Sequence, residues 1–329
     1  MSDIIAIATA NLLSPVILCF VLGLGAALAR SDLSVPEAAA KAMSIYLLFA
    51  IGFKGGSSVA AHGIEARLAA TILAGVFLSF GLPFIAFGLL RVMTRLGRTD
   101  AAAVAAHYGS ISIVTFVAAT AVLEARGIAA EGYMVAVAAA MEAPAILAAL
   151  WIVSRGRQGE DRAAGTDAGL LREIMLNGSI VLLVGSFVIG LITGAPGLAR
   201  IESFIVSPFQ GVLCLFLLDM GLVAGRGLRG RSGLLSGGLI AFGMLMPLIG
   251  AAAGLAAGLL IGLSAGGLAL LMVLGASASY IAVPAAMRVA LPEANPSIYL
   301  TLSLGVTFPF NLTLGIPVYV ALAERLGGV

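Results

Sequence analysis

Long apolar runs dominate this chain of 329 residues and constrain its fold more than any other feature. Ten runs have roughly the 20 residues that an α-helix needs to cross a bilayer core. Only 10% of the residues are charged, whereas a soluble domain is about a quarter charged. The sequence therefore predicts an all-α membrane protein with ten transmembrane helices. The runs lie at about residues 5–29, 38–53, 68–91, 101–123, 131–154, 174–194, 203–225, 233–263, 267–290 and 297–323.

One hydrophilic stretch, residues 156–172, divides the apolar runs five and five. We expect a first five-helix repeat over residues 1–155 and a second over residues 173–329. Of the 18 basic residues, 13 fall on the side of the membrane that contains this linker. Cytoplasmic loops carry an excess of Lys and Arg. The sequence thus predicts a multi-pass protein of the inner (plasma) membrane, with a cytoplasmic linker and both termini outside.

The two halves also share short motifs. Ser110 and Ser112 align with Ser277 and Ser279 at an offset of 167 residues, and Gly52 aligns with Gly221 at an offset of 169. Because each half has an odd number of segments, the second half enters the membrane upside down relative to the first. This arrangement is the inverted repeat found in many secondary transporters.

The paired serine motifs interrupt segments four and nine at about ten residues' depth, near the predicted membrane midplane. Interrupted helices leave unpaired backbone groups, which are tolerated inside a membrane where they line a cavity or bind a ligand. The positive ends of half-helices suit an anion. The alternative is a pair of intact helices with small residues at a packing seam. The candidate substrate-binding residues are Gly109, Ser110, Ile111, Ser112, Thr115, Ser277, Ala278, Ser279 and Tyr280.

Two carboxylates lie inside apolar segments, Glu142 in segment five and Asp219 in segment seven. An ionisable residue at such depth is costly and usually functional or paired. We consider both as cation ligands or proton carriers; the alternative is a protonated carboxyl group bonded to a neighbouring helix. Thr307 and Asn311 are four residues apart and share a helical face. They face the cavity beside segment nine or form hydrogen bonds in the core.

Several function classes find no support in the sequence. A net charge of +2 gives no electrostatic basis for nucleic-acid binding. The two histidines form no metal signature, and no nucleophile has a base at a recognisable spacing, so we expect no enzyme. We predict no cofactor, and the only expected metal is Na⁺ as a coupling ion.

Motifs along most of the chain resemble the sodium-dependent bicarbonate transporters of the SbtA type, of which this chain would be a divergent member. The stretches that carry the resemblance, in order, are VPEA at 35–38, IGFKGG at 51–56, GSIS at 109–112, MEAPA at 141–145, SAS at 277–279 with Pro284, and ANPS at 294–297.

The resemblance implies ten helices in two inverted repeats, a gate domain, a mobile core domain and a bicarbonate–Na⁺ site between segments four and nine. It also implies a homotrimer and a PII-like regulatory protein on the cytoplasmic side. The chain departs from better-known members at Tyr280, where they have an acidic residue, and at Ala278, where they have a serine. These departures make the implied Na⁺ ligand set smaller.

The sequence therefore predicts a secondary active transporter that imports bicarbonate or a similar small anion with Na⁺ by alternating access. One alternative is a proton-coupled carrier of another small anion. Another is a channel, or a membrane sensor that transports nothing. All of these functional hypotheses share the lipid bilayer as a partner.

Overall fold

The computed structural model describes residues 13, 15–62, 66–154, 178–230, 236–280, 283–284, 287 and 291–327. The described chain is helical and contains no β-strand. Among the described residues, eight helical spans are long and apolar enough to cross a membrane, and two of them, Arg98–Ala125 and Met134–Val153, each combine two consecutive helices. Two shorter apolar helices lie at the predicted first and ninth segments, parts of which fall outside the described residues. The predicted cytoplasmic linker, residues 156–172, also lies outside them.

The part of the chain that the structure describes contains twelve helices with defined bounds. The first half contains α1 (Pro15–Leu28), α2 (Glu37–His62), α3 (Ala66–Met93), α4 (Arg98–Gly109), α5 (Ile113–Ala125), α6 (Met134–Ala140) and α7 (Glu142–Ser154). The second half contains α8 (Gly178–Ile205), α9 (Phe209–Gly230), α10 (Gly237–Ile261), α11 (Ala265–Ala276) and α12 (Pro296–Leu326). Helix α12 includes two π-helical segments, Ser303–Thr307 and Asn311–Gly315.

Three observed helices differ from the apolar runs that predicted them. Helix α2 continues nine residues past the predicted end at 53 to His62, because Lys54 ends the apolar run without ending the helix. Segment five is divided into α6 and α7 by a turn at Met141. Helix α8 extends to Ile205 and bends at Gly194, whose φ of 57° and ψ of −155° are accessible to glycine.

Side-chain caps fix where the helices of the second half begin. The Ser236 hydroxyl accepts a hydrogen bond from the Leu239 amide, and the Ser264 hydroxyl accepts one from the Gly267 amide. Asn295 caps α12 in the same way and is followed by proline, which suits the first helical position. These local signals separate consecutive helices that are both apolar.

Helices α4 and α11 are closely matched. Each has 12 residues, and they begin at Arg98 and Ala265, which are 167 positions apart. Each ends at a serine with extended backbone: Ser110 has φ −86° and ψ 160°, and Ser277 has φ −84° and ψ 161°. The interruptions of segments four and nine therefore share both a register and a local geometry, at the positions the sequence predicts. Their depth in a bilayer stays a prediction.

Close backbone contacts join α1 to α9 and α2 to α8. A methyl group on Gly23 would overlap the Leu218 carbonyl, and one on Gly221 would overlap the Phe20 carbonyl. Gly56 of α2 has the equivalent relation to the Phe187 carbonyl of α8. Gly221 and Gly56 therefore have equivalent positions in the two contacts. The sequence alignment instead paired Gly221 with Gly52, four residues before Gly56.

The helices pack as two groups that do not follow the two halves of the chain. Helices α1, α2, α8 and α9 pack most extensively on one another and form the four-helix group. Helices α3–α7 and α10–α12 form the crossing group, which contains both interruptions. Each half of the sequence contributes to both groups, so neither half folds around a core of its own.

The glycine contacts predict a difference between two positions of α1. Gly23→Ala lowers the free energy of unfolding by about 1–3 kcal/mol, because the added methyl group must push α9 away. Gly25→Ala, two residues along and with open space around it, leaves stability unchanged or slightly higher. Thermal melting of the detergent-purified proteins measures the difference, and equal melting temperatures would contradict the packing described here.

Candidate functional site

The two interrupted segments contact each other directly. The backbone amide of Ser112 donates a hydrogen bond to Ser277 Oγ at 2.9 Å. In return, the backbone amide of Ser279 donates to the carbonyl oxygen of His107 at 2.7 Å. Each interruption thus supplies a partner for a backbone group that the other leaves without an intrahelical bond. We call this contact the crossing.

The crossing is enclosed by protein. Within the span formed by α4 and α5, 94% of the most apolar 18-residue stretch is buried inside the protein. Non-helical backbone at membrane depth is tolerated when protein surrounds it or when it lines a cavity. The enclosure therefore explains how segment four can be interrupted within an apolar chain.

Ser112 and Thr115 form the start of α5. Ser112 Oγ accepts hydrogen bonds from the Thr115 amide at 3.2 Å and from Thr115 Oγ1 at 2.9 Å. The proton of the Ser112 hydroxyl remains available to a bound group or to the neighbouring Tyr280 hydroxyl. The N-terminus of α5 points its first amides, and its positive dipole end, at the same place.

Tyr280 adds a second hydroxyl to the crossing. Its ring packs edge-on against Phe308, with 5.6 Å between centroids. Its buried hydroxyl lies beside the Ser112 side chain but satisfies no strict hydrogen bond among the described residues. Leaving a buried hydroxyl unpaired is costly, so this hydroxyl is a candidate hydrogen-bonding group for a bound polar ligand.

Glu142 reaches the crossing from segment five. The turn at Met141 is held by Ser79, whose hydroxyl donates to the Met141 carbonyl at 2.6 Å. Glu142, the next residue, accepts a hydrogen bond from Ser110 Oγ at 2.6 Å and is itself buried. The structure therefore brings a carboxyl group to the first interruption.

Helix α12 approaches both interruptions through the two polar residues named from the sequence. Thr307 Oγ1 donates to the Gly243 carbonyl at 2.8 Å and lies 2.6 Å from the hydroxyl of Tyr108, two residues before Ser110. Asn311 Nδ2 donates to the carbonyl of Ala276, the last residue of α11, at 2.8 Å. Both side chains thus bond to backbone or side-chain groups next to the crossing.

The remaining predicted residues have simpler surroundings. A methyl group on Gly109 would overlap Pro83, so this position permits close packing of α4 on α3. Ile111 and Ala278 are buried apolar residues within the interruptions. Asp219 lies in α9, outside the crossing group, with the charge of Arg226 nearby. Of the two carboxylates named from the sequence, the structure brings Glu142 alone to the crossing.

His107 and Tyr108 also lie at the site, although neither is among the candidate binding residues from the sequence. His107 stacks on Tyr299 at 4.3 Å between ring centroids, and its Nδ1 lies 2.6 Å from the Ala103 carbonyl. Its carbonyl oxygen accepts the bond from Ser279. Their place in the sequence could have indicated this, since both aromatic residues directly precede the GSIS motif.

The donor set at the crossing suits small ions. Hydroxyl groups and helix N-termini favour an anion, while a carboxylate and free carbonyl oxygens favour a hard cation such as Na⁺. Among the described residues, no group of three His, Cys, Asp or Glu side chains could hold a metal ion. A cation here would therefore rely on hydroxyl and carbonyl oxygens together with Glu142.

Removing the Ser277 hydroxyl should weaken the crossing. Ser277→Ala leaves the buried Ser112 amide without its partner, which lowers the free energy of unfolding by about 1–3 kcal/mol. The matched control is Thr120→Val in α5, which loses only a hydroxyl bonded to a carbonyl of its own helix. Thermal melting of both variants tests this, and an unchanged Ser277→Ala protein would contradict it.

A family model described as the Na⁺-dependent bicarbonate transporter superfamily matches residues 15–324, nearly the whole chain. No curated protein matches the chain.

Proposed function

Because the chain belongs to the Na⁺-dependent bicarbonate transporter superfamily, we propose that it is a secondary active transporter that takes up bicarbonate together with Na⁺. The observation that carries this proposal is the crossing, where two interrupted helices exchange hydrogen bonds inside an enclosed apolar bundle. Helix ends and hydroxyl groups that meet at one buried point would together form a binding site for a small ion.

The anion would bind at the N-terminus of α5. Bicarbonate is small and planar, and it accepts hydrogen bonds through three oxygens. The first amides of α5 and the hydroxyl groups of Ser112, Ser279 and Tyr280 are donors at this place. Neutral donors aligned with a helix dipole stabilise one negative charge without trapping it, which suits a substrate that must be released.

Na⁺ would bind nearer to the ends of α4 and α11. Helix C-termini carry partial negative charge. The Glu142 carboxylate and the Ser110 hydroxyl lie at the first of these ends. Tyr280 brings no charge to the second interruption, so Glu142 is the carboxylate we assign to Na⁺ coupling. Thr307 and Asn311 would hold the surrounding backbone in place.

Transport by alternating access would move the crossing group against the four-helix group. The matched lengths and ends of α4 and α11 support two inverted five-helix repeats, and the equivalent glycine contacts of α1–α9 and α2–α8 agree with this. We place the protein in the inner membrane with both termini outside, from the distribution of basic residues. A homotrimer and a PII-like regulator are further proposals, based on the resemblance.

Proton coupling is the second candidate for the driving ion. It is favoured by the surroundings of Glu142, which is buried and bonded to a neutral hydroxyl with no described cation beside it. Such a carboxyl group could carry a proton in place of Na⁺. A channel or a sensor would use the same crossing without a coupled ion.

Uptake of labelled bicarbonate into proteoliposomes separates these functions. We expect saturable uptake that, at bicarbonate concentrations below KM, is at least about tenfold faster with a Na⁺ gradient than with choline, since coupling of about 1.4 kcal/mol between the two bound ions raises the anion affinity by that factor. Uptake driven by a pH gradient without Na⁺ would identify a proton-coupled carrier. Flux that does not saturate would identify a channel, and absence of flux a sensor.

Glu142→Gln tests the assigned carboxylate. The amide keeps the size of the side chain but removes its charge, so we expect loss of Na⁺ stimulation. The matched control is Asp219→Asn, which removes a carboxylate from α9 and should leave Na⁺ stimulation within about twofold of wild type. Full Na⁺ stimulation in Glu142→Gln would exclude this carboxylate as the coupling group.

A further inference from the structure

A cavity of about 260 Å³ lies at the seam between the two helix groups. Ile51 and Gly55 of α2 line one wall and Phe116 and Thr120 of α5 line the other, with Phe209 of α9 beside them. It adjoins the chain between α5 and α6, which the basic-residue distribution places outside the cell. A water molecule occupies about 30 Å³ of liquid volume, so the cavity has room for a small hydrated anion.

Lys54 is the cation of this cavity. Its ammonium group is paired with the Glu124 carboxylate and lies 5.3 Å from the centre of the Phe209 ring. Lys54 belongs to α2 in the four-helix group, whereas Glu124 belongs to the last turn of α5 in the crossing group. The ion pair therefore joins the two helix groups at the wall of the cavity.

Three other charged groups near this end already have partners within the crossing group. Glu131, which also lines the cavity, accepts bonds from the Ser264 amide and hydroxyl, both at 2.8 Å, at the N-terminus of α11. Arg126 pairs with Glu324 at 3.0 Å. Glu124 is thus the carboxylate that occupies Lys54.

The cavity also leads toward the crossing. Phe116 lies four residues after Ser112 on α5, which is about one helical turn, and its ring is buried at the cavity wall. Glu124 lies two further turns along the same helix. Helix α5 therefore connects the ion pair, the cavity wall and the proposed binding site.

We propose that this cavity is an antechamber for the incoming small anion, in which Lys54 exchanges the Glu124 carboxylate for the substrate. This inference rests on the proposed function. A carboxylate and bicarbonate present the same planar pair of charged oxygens, so a donor that holds one accommodates the other. The side chains of Lys54 and Glu124 are 27% and 42% exposed. Ion pairs this accessible add little net stability, so replacing Glu124 by the substrate costs little free energy.

The test compares KM and kcat for labelled bicarbonate uptake. Lys54→Met removes the receptor and should raise KM by about threefold or more with kcat little changed, whereas Lys54→Arg keeps KM near wild type. Glu124→Gln removes the internal competitor and should lower KM. The double variant should have the KM of Lys54→Met, because Glu124 acts through Lys54.

Opposite KM shifts distinguish this role from a structural one, since a purely structural ion pair makes both single variants behave alike. Arg126→Gln breaks an ion pair at the same end and serves as the control with unchanged KM. Equal KM values in wild type, Lys54→Met and Glu124→Gln would overturn the antechamber while leaving bicarbonate transport intact. No uptake by wild type would overturn the proposed function itself, and the antechamber with it.

Discussion

The need to satisfy backbone groups at the two helix interruptions governs the arrangement of this protein. In an apolar bundle no water is available to pair a free amide or carbonyl. The amides of Ser112 and Ser279 therefore find partners on the opposite interruption, at Ser277 and His107. The surrounding helices α3, α10 and α12 enclose these bonds, and Thr307 and Asn311 bond next to them from α12. The groups that support the fold at this point adjoin those that we propose for ion binding.

The division into two helix groups follows from where close backbone packing is available. Gly23, Gly56 and Gly221 let α1 meet α9 and α2 meet α8 at backbone contact, which ties the four-helix group together. Packing between the groups is less extensive, and at the Lys54–Glu124 end it includes a partly exposed ion pair beside a cavity. Because the crossing lies within one group, movement along the seam would carry the whole site as a unit.

Chemically, the crossing relies on dipoles and hydroxyl groups more than on formal charge. Ser112, Ser279 and Tyr280 provide neutral donors, and Glu142 provides a carboxylate on the side of Ser110. Neutral donors of this kind would hold the proposed small anion weakly enough to release it. Tyr280 stands where the better-known transporters that the sequence resembles have an acidic residue, so the carboxylate described at the crossing lies at the first interruption.

The sequence by itself determined the helical class, most helix positions and the two interruptions, because apolar run length and the GSIS and SAS motifs are local signals. It also identified Glu142 and Asn311 as polar residues in apolar segments. The tertiary structure decided which of these residues meet: Glu142 reaches Ser110, whereas Asp219 lies in the other helix group. It also added the His107 carbonyl and the Lys54–Glu124 pair, and it continued α2 past Lys54. Such contacts join residues far apart in the chain, and hydropathy, which averages over neighbours, contains no information about them.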